Sequence, residues 1–258
     1  MPEFENLRID ETGRVATLTL HRPDKLNALS RDLLSEIVRA SQWLGERDDL
    51  RVVIVRGSGG NFSAGFDLND FTAAAGGASA RDTADLGRRA TEALARVPQI
   101  TVAAVEGHCV GGGLVLVGAC DLRYATPATR FRIPEVDLGI PLAWGGIPRL
   151  VREIGPALTK ELVLTCRSFD AAEAVSIGFL NGVVAADELT SHVEELARSL
   201  AAKPQYALRT TKQQVEAVMD EIASTMRNTT DADVLVYAMH DAESRAVSAK
   251  YLTERKRT

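Results

Sequence analysis

Val52-Val53-Ile54-Val55 is an unbroken apolar run of β-branched residues, and it constrains the fold more than any other stretch of the chain. A strand with one wet face alternates polar and apolar side chains, so a continuous run belongs inside a sheet that is covered on both faces. Ile100-Thr101-Val102-Ala103-Ala104-Val105 is a second run of this kind, and Leu122-Arg123-Tyr124-Ala125 is a shorter one. Helical patterns fall between them. Ser30 can cap a segment in which Leu33, Leu34, Ile37 and Val38 recur at helical spacing. Asp82 to Arg96 reads as an amphipathic helix ended by Val97-Pro98. Val15 to Leu20 alternates and predicts a strand with one more polar face, stopped by His21-Arg22-Pro23-Asp24 because proline removes a ladder donor. Strand, helix, strand in this order predicts an α/β fold.

From about Pro156 onward the sequence predicts no further strands. Lys160 to Leu164, Ala171 to Ile177, Leu189 to Ala202, Tyr206 to Met226 and Ala232 to Tyr251 all read as helical. The shift divides the chain into an α/β core over residues 1–155 and a helical C-terminal region over 156–258. No repeat or low-complexity linker separates the two, so they are expected to pack tightly. Thr72 to Ala80, rich in Ala and Gly, reads either as a surface loop or as a mobile wall of a substrate pocket.

The composition removes several function classes. A length of 258 residues is ample for a sizeable core. The net charge is −5 with no long run of one sign, so neither a nucleic acid nor a membrane surface is an expected partner. Met1 to Glu5 carries two acids and no apolar segment, unlike a secretory signal. Cys109, Cys120 and Cys166 lack metal-ligand spacing and read as buried free thiols of a reducing cytosol. The expectation is a soluble cytoplasmic protein with no metal and no resident cofactor.

Three glycine-rich segments follow the apolar runs: Asn61 to Leu68, Glu106 to Gly113, and Pro141 to Gly146. Glycines at such turns let a ligand approach the backbone and leave N–H groups free to donate. Any one of them alone reads as a tight turn. Gly111-Gly112-Gly113 is neither a Gly-x-Gly-x-x-Gly fingerprint nor a phosphate loop with its Lys-Ser/Thr, which disfavours a dinucleotide-dependent dehydrogenase.

The ordered set of segments resembles the crotonase (enoyl-CoA hydratase/isomerase) family. His21-Arg22-Pro23-Asp24-Lys25-Leu26-Asn27-Ala28-Leu29 is similar to its N-terminal Arg-Pro…Asn-Ala-Leu element, and Phe62 to Leu68 to its first oxyanion motif. Gly107 to Gly113, closing on Cys120-Asp121-Leu122, resembles its second. Phe131 to Glu135 with Leu138-Gly139-Ile140 and Gly145 to Leu150 resembles the block that carries the catalytic carboxylate. Ala171 to Ala174 and Gly178 to Asn181 resemble its downstream element.

The resemblance spans nearly the whole chain. It implies a crotonase-like β-spiral of ββα-type turns, followed by a helical region that helps form a homotrimer or a dimer of trimers. It implies an acyl-CoA thioester as substrate, with coenzyme A present only as part of it. By matched position, the oxyanion donors would be the backbone N–H groups of Phe66 and Gly112. Lys25, Ala28, Ala64 and Leu68 would hold the adenine and pantetheine parts. Asp67 would orient its loop. Lys250-Tyr251 to Arg255-Lys256 would either offer cations to the phosphates or form a solvated helix end. Trp144 stands where the family carries a small residue, and would either fill part of the acyl pocket or pack as core. His108 reads as structural.

One departure bears on the reaction. Family hydratases carry a glutamate two positions after the three glycines and another in the Pro-Glu of the later block. Here the first position is Val115 and the second is Glu135. Adding water needs one group to position it and another to deliver a proton, and valine does neither. A single carboxylate beside an oxyanion hole suits proton transfer from C2 to C4 of a 3-enoyl thioester. Three readings are compatible with Val115: an isomerase using Glu135, a hydratase-like or other crotonase reaction, and a catalytically weak acyl-CoA-binding protein. Glu135 favours the first.

Overall fold

The computed structural model describes residues 2–67, 70, 80–225 and 230–255. Its centre is a six-stranded sheet, and the runs that demanded double cover lie in its middle. β1 (Leu7–Thr12) pairs antiparallel with β2 (Val15–Leu20). Then β3 (Val52–Gly57), β4 (Ile100–Val105), β6 (Leu122–Ala125) and β9 (Gly182–Val183) continue in parallel from β2, in that order. A second sheet joins β5 (His108–Val110), β7 (Arg130–Arg132) and β8 (Phe169–Asp170). The mixed α/β architecture expected from the runs is the one observed.

Both faces of the central strands are covered. Val53, Val55, Ala103 and Val105 point into a core shared with α1 (Arg31–Gly45), α2 (Ala80–Ala95) and α3 (Gly112–Val117). Val52, Ile54 and Val102 point the other way, against Leu189, Val193 and Ala197 of α6 (Leu189–Ala201). Ser30 caps α1, its side chain accepting from the Leu33 N–H.

The C-terminal region departs from expectation in two ways. Strands do not end at Pro156: β8 and β9 both follow it, each two residues long, and β9 completes the main sheet. The proposed boundary falls within α4 (Gly146–Thr165), at a break where Gly155 has φ 75° and ψ 168° and Pro156 follows. The long helix expected to Tyr251 is two helices, α8 (Asp231–His240) and α9 (Ala242–Arg255). Asp241 separates them with extended backbone, and its carboxylate accepts the Ser244 N–H that a continuous helix would have satisfied internally. α5 (Ala171–Ser176) and α7 (Gln205–Ala223) lie near their expected spans, and Met226 is outside the described residues. Among the described residues no helix is long and apolar enough to cross a membrane, and no His, Cys, Asp and Glu cluster could hold a metal ion.

Candidate active site

The first two glycine-rich segments lie side by side because they share a short parallel pairing. The Ser63 N–H donates to His108 O at 2.9 Å and the Val110 N–H to Ser63 O at 3.0 Å. Gly65, at φ 90°, passes so close to Val110 that an added Cβ would lie 2.9 Å from its carbonyl oxygen. Only glycine fits there.

Phe66 is set by a second bridge, to Leu29. The Leu29 N–H donates to Gly65 O at 2.8 Å, and the Asp67 N–H donates to Leu29 O at 3.1 Å. In a parallel bridge the residue between those two partners turns its own N–H to the opposite side, so Phe66 presents its donor away from Leu29. Gly112 is the first residue of α3, where a helix has no internal acceptor for the N–H. Gly111 precedes it at φ 50° and ψ −120°, held by its N–H donating to Arg132 O at 2.9 Å.

Glu135 comes up against this turn. A Cβ on Gly111 would lie 2.5 Å from its Oε1. The residue is half-buried, but its Oε2 is buried and has no hydrogen-bond partner. Removal from water pushes its pKa from 4.5 up to about 7, offset in part by its own backbone. Glu135 lines a cavity of about 400 Å³ together with Ala64, Phe66, Gly111, Leu138 and Ile140, and it is the only carboxylate among the described lining residues.

The remaining sequence candidates divide. Ala64 lines the cavity. Lys25 and Ala28 do not, but they sit on a turn tied to it, since the Ala64 N–H donates to Leu26 O at 2.9 Å. Asp67 pairs with Arg22 at 3.0 Å. Val115 does not reach the cavity; it is 2 % exposed and packs in the core against Gly146. Trp144 stands behind Phe66, the two rings edge to face at 5.6 Å. Leu68 and Lys256 lie outside the described residues, as does most of the 72–80 segment.

Arg130 and Arg132 carry no expected role from the sequence, whereas His108 reads there as structural and Tyr251 lies in the C-terminal basic stretch. His108, Arg130, Arg132 and Tyr251 all border the cavity. His108 pairs with Arg130, and Val110 with Arg132, across β5 and β7. The period-two spacing of 108 and 110, and of 130 and 132, was the available signal. Tyr251 arrives because α9 folds back on the turn after Glu135, where the Ser248 hydroxyl donates to Leu138 O and Gly139 approaches Ser244.

A buried asparagine ties these loops together. Asn27 is fully buried at φ 53°. Its Oδ1 accepts from the Arg22 N–H at 2.9 Å, and its Nδ2 donates to Ser58 O at 2.8 Å and Asn61 O at 2.7 Å. Its carbonyl accepts from the Ser63 hydroxyl at 2.8 Å, which in turn accepts from the Gly65 N–H at 3.1 Å. Asn27→Ala would keep the backbone carbonyl but strand the Arg22 N–H and the Ser58 and Asn61 carbonyls, at about 1–3 kcal/mol each. We expect a total loss of about 3 kcal/mol or more in urea unfolding, and an unchanged midpoint would contradict this role.

The sequence matches the family model described as Enoyl-CoA hydratase/isomerase over residues 10–258. It is 34% identical over 240 residues to the crotonyl-CoA hydratase of Syntrophomonas wolfei, covering 92% of each chain. It is 33% identical over 218 residues to a short-chain-enoyl-CoA hydratase of Clostridium acetobutylicum, covering 84% of this chain and 83% of that one. A solved enoyl-CoA hydratase/isomerase from Mycobacterium paratuberculosis superposes with a TM-score of 0.88 at 28% identity, over 95% of this chain and 98% of that one.

Proposed function

The chain belongs to the enoyl-CoA hydratase/isomerase family, and from that premise we propose that it isomerises 3-enoyl-CoA to 2-enoyl-CoA with Glu135 as the single proton carrier. The observation that carries the reading is that Glu135 is the lone carboxylate among the described lining residues. Glu135 borders the cavity while Val115, the position of the other glutamate in family hydratases, is sealed in the core.

In this mechanism the thioester oxygen sits between the N–H groups of Phe66 and Gly112. Glu135 takes a proton from C2, and the electron pair moves onto that oxygen to give a dienolate. The same carboxyl then returns the proton to C4, the double bond settles between C2 and C3, and the thioester carbonyl re-forms. Fixed donors aimed at the developing charge contribute about 2.7–4 kcal/mol each in comparable sites. The coenzyme A part would run along Ala64, Leu68 and the turn carrying Lys25 and Ala28. Arg130, Arg132 and His108 on the rim suit its phosphates.

The names of the relatives favour a second reading, hydration of a 2-enoyl-CoA. It would need a water-activating group in place of Val115, and the described cavity lining offers no second carboxylate.

The base must be ionised to act, and its pKa is raised from 4.5 to about 7. The kcat/KM for a 3-enoyl-CoA should therefore climb from pH 6 to pH 8 and level off above, with its midpoint near 7. A flat or falling profile over that range would sink the single-base mechanism.

We also propose a homotrimer or a dimer of trimers, from the family resemblance. α7 supports it: no residue of that helix is buried, and Val215, Val218 and Ile222 form an exposed apolar stripe at helical spacing. Light scattering at micromolar concentration should give at least three times the monomer mass. A monomer there would contradict it.

A further inference from the structure

Trp144 is held more firmly than ordinary packing requires. It is a non-glycine residue at φ 60°, and its backbone carbonyl accepts from the Thr91 hydroxyl at 3.0 Å and from Arg149 at 3.3 Å. Its ring occupies a slot that exists only because two neighbours lack side chains. A Cβ on Gly87 of α2 would lie 1.8 Å from the ring, and one on Gly112 would lie 2.2 Å from it. On a third side the ring meets Phe66 edge to face at 5.6 Å.

The ring therefore abuts both residues whose N–H groups would hold the thioester oxygen. Among the described residues, the cavity is bordered by His108, Arg130 and Tyr251 at its rim and by Phe66, Gly111 and Glu135 at the turn, and none of α2 or of 142–146 lines it. The coenzyme part suits the rim, where Arg130 and Arg132 offer cations to its phosphates. An acyl chain continuing past Phe66 would run against the Trp144 ring that stands behind it.

We infer that Trp144 sets the acyl-chain limit, so that the site takes short-chain acyl-CoA thioesters and excludes long ones. This rests on the proposed acyl-CoA site but not on the isomerase reaction. An open pocket would tighten binding with each added methylene. A pocket closed by an indole ring would not.

The test is calorimetric binding of butyryl-CoA and decanoyl-CoA to the wild type, Trp144→Leu and Trp144→Ala. The wild type should bind decanoyl-CoA no more tightly than butyryl-CoA. In the variants the decanoyl-to-butyryl affinity ratio should rise at least about 10-fold, the effect of one or more methylenes gaining a pocket. The wild-type comparison needs no substitution, so it stands even if both variants fail to fold. A wild type that prefers decanoyl-CoA, or binds neither thioester, overturns the inference, as does an unchanged ratio in folded variants. Saturated thioesters cannot isomerise. A protein that shows this chain-length pattern yet leaves 3-enoyl-CoA unchanged would refute the proposed reaction and keep the role of Trp144.

Discussion

Glu135→Gln is expected to lower turnover of a 3-enoyl-CoA by about 10²–10⁴-fold, the usual effect of losing a general base, while leaving acyl-CoA binding nearly intact. Glutamine keeps the shape of the side chain beside Gly111 but cannot take the C2 proton. Steady-state kinetics with a separate binding titration decides it. Wild-type turnover in the variant would hand the role to another group, and His108 on the rim would be the first to examine.

The same variant carries a stability signature. The folded-state pKa of Glu135 lies near 7, above its ordinary 4.5. Above about pH 7 the group is charged whether the chain is folded or not, so its burial opposes folding in full. Below about pH 4.5 it is neutral in both states and that opposition is gone. Wild type should therefore gain stability relative to Glu135→Gln as the pH falls through this window, by on the order of 3 kcal/mol.

Gly111→Ala should be nearly as damaging. A Cβ there would meet Glu135 Oε1 at 2.5 Å, and the residue holds φ 50° and ψ −120°, a conformation that suits glycine. The backbone can relieve the contact only by rotating, which turns the next N–H, that of Gly112. Misdirecting one oxyanion donor costs about 10²–10³-fold in kcat. The loss should fall on kcat more than on KM, since the donor acts most on the charged intermediate. A variant with kcat within a few-fold of wild type would argue against Gly112 as a donor.

Much of this arrangement was legible in the sequence because its parts are local. The doubly buried runs at Val52 and Ile100 identify central strands, and the glycines at 65 and 111 mark turns that only glycine can make. What the sequence did not disclose depends on distant neighbours. β1 reads Leu-Arg-Ile-Asp-Glu-Thr, with two apolar residues, and becomes a strand by pairing with β2. β9 is two residues whose strand character comes from Tyr124 and Ala125 beside it. Tyr251 reaches the cavity through the break at Asp241, where a capping carboxylate overrides a continuous helical pattern. The slot for Trp144 needs Gly87, far away in the chain on α2. Val115 was readable as a missing carboxylate, but not as a core residue packed against Gly146.

The reaction is tested most directly by giving the purified protein 3-hexenoyl-CoA and 2-hexenoyl-CoA separately and identifying the products. A single carboxylate beside two backbone donors predicts that 3-hexenoyl-CoA becomes 2-hexenoyl-CoA and that 2-hexenoyl-CoA gains no water. Formation of 3-hydroxyhexanoyl-CoA from the 2-enoyl thioester, with the 3-enoyl thioester left unchanged, would contradict it.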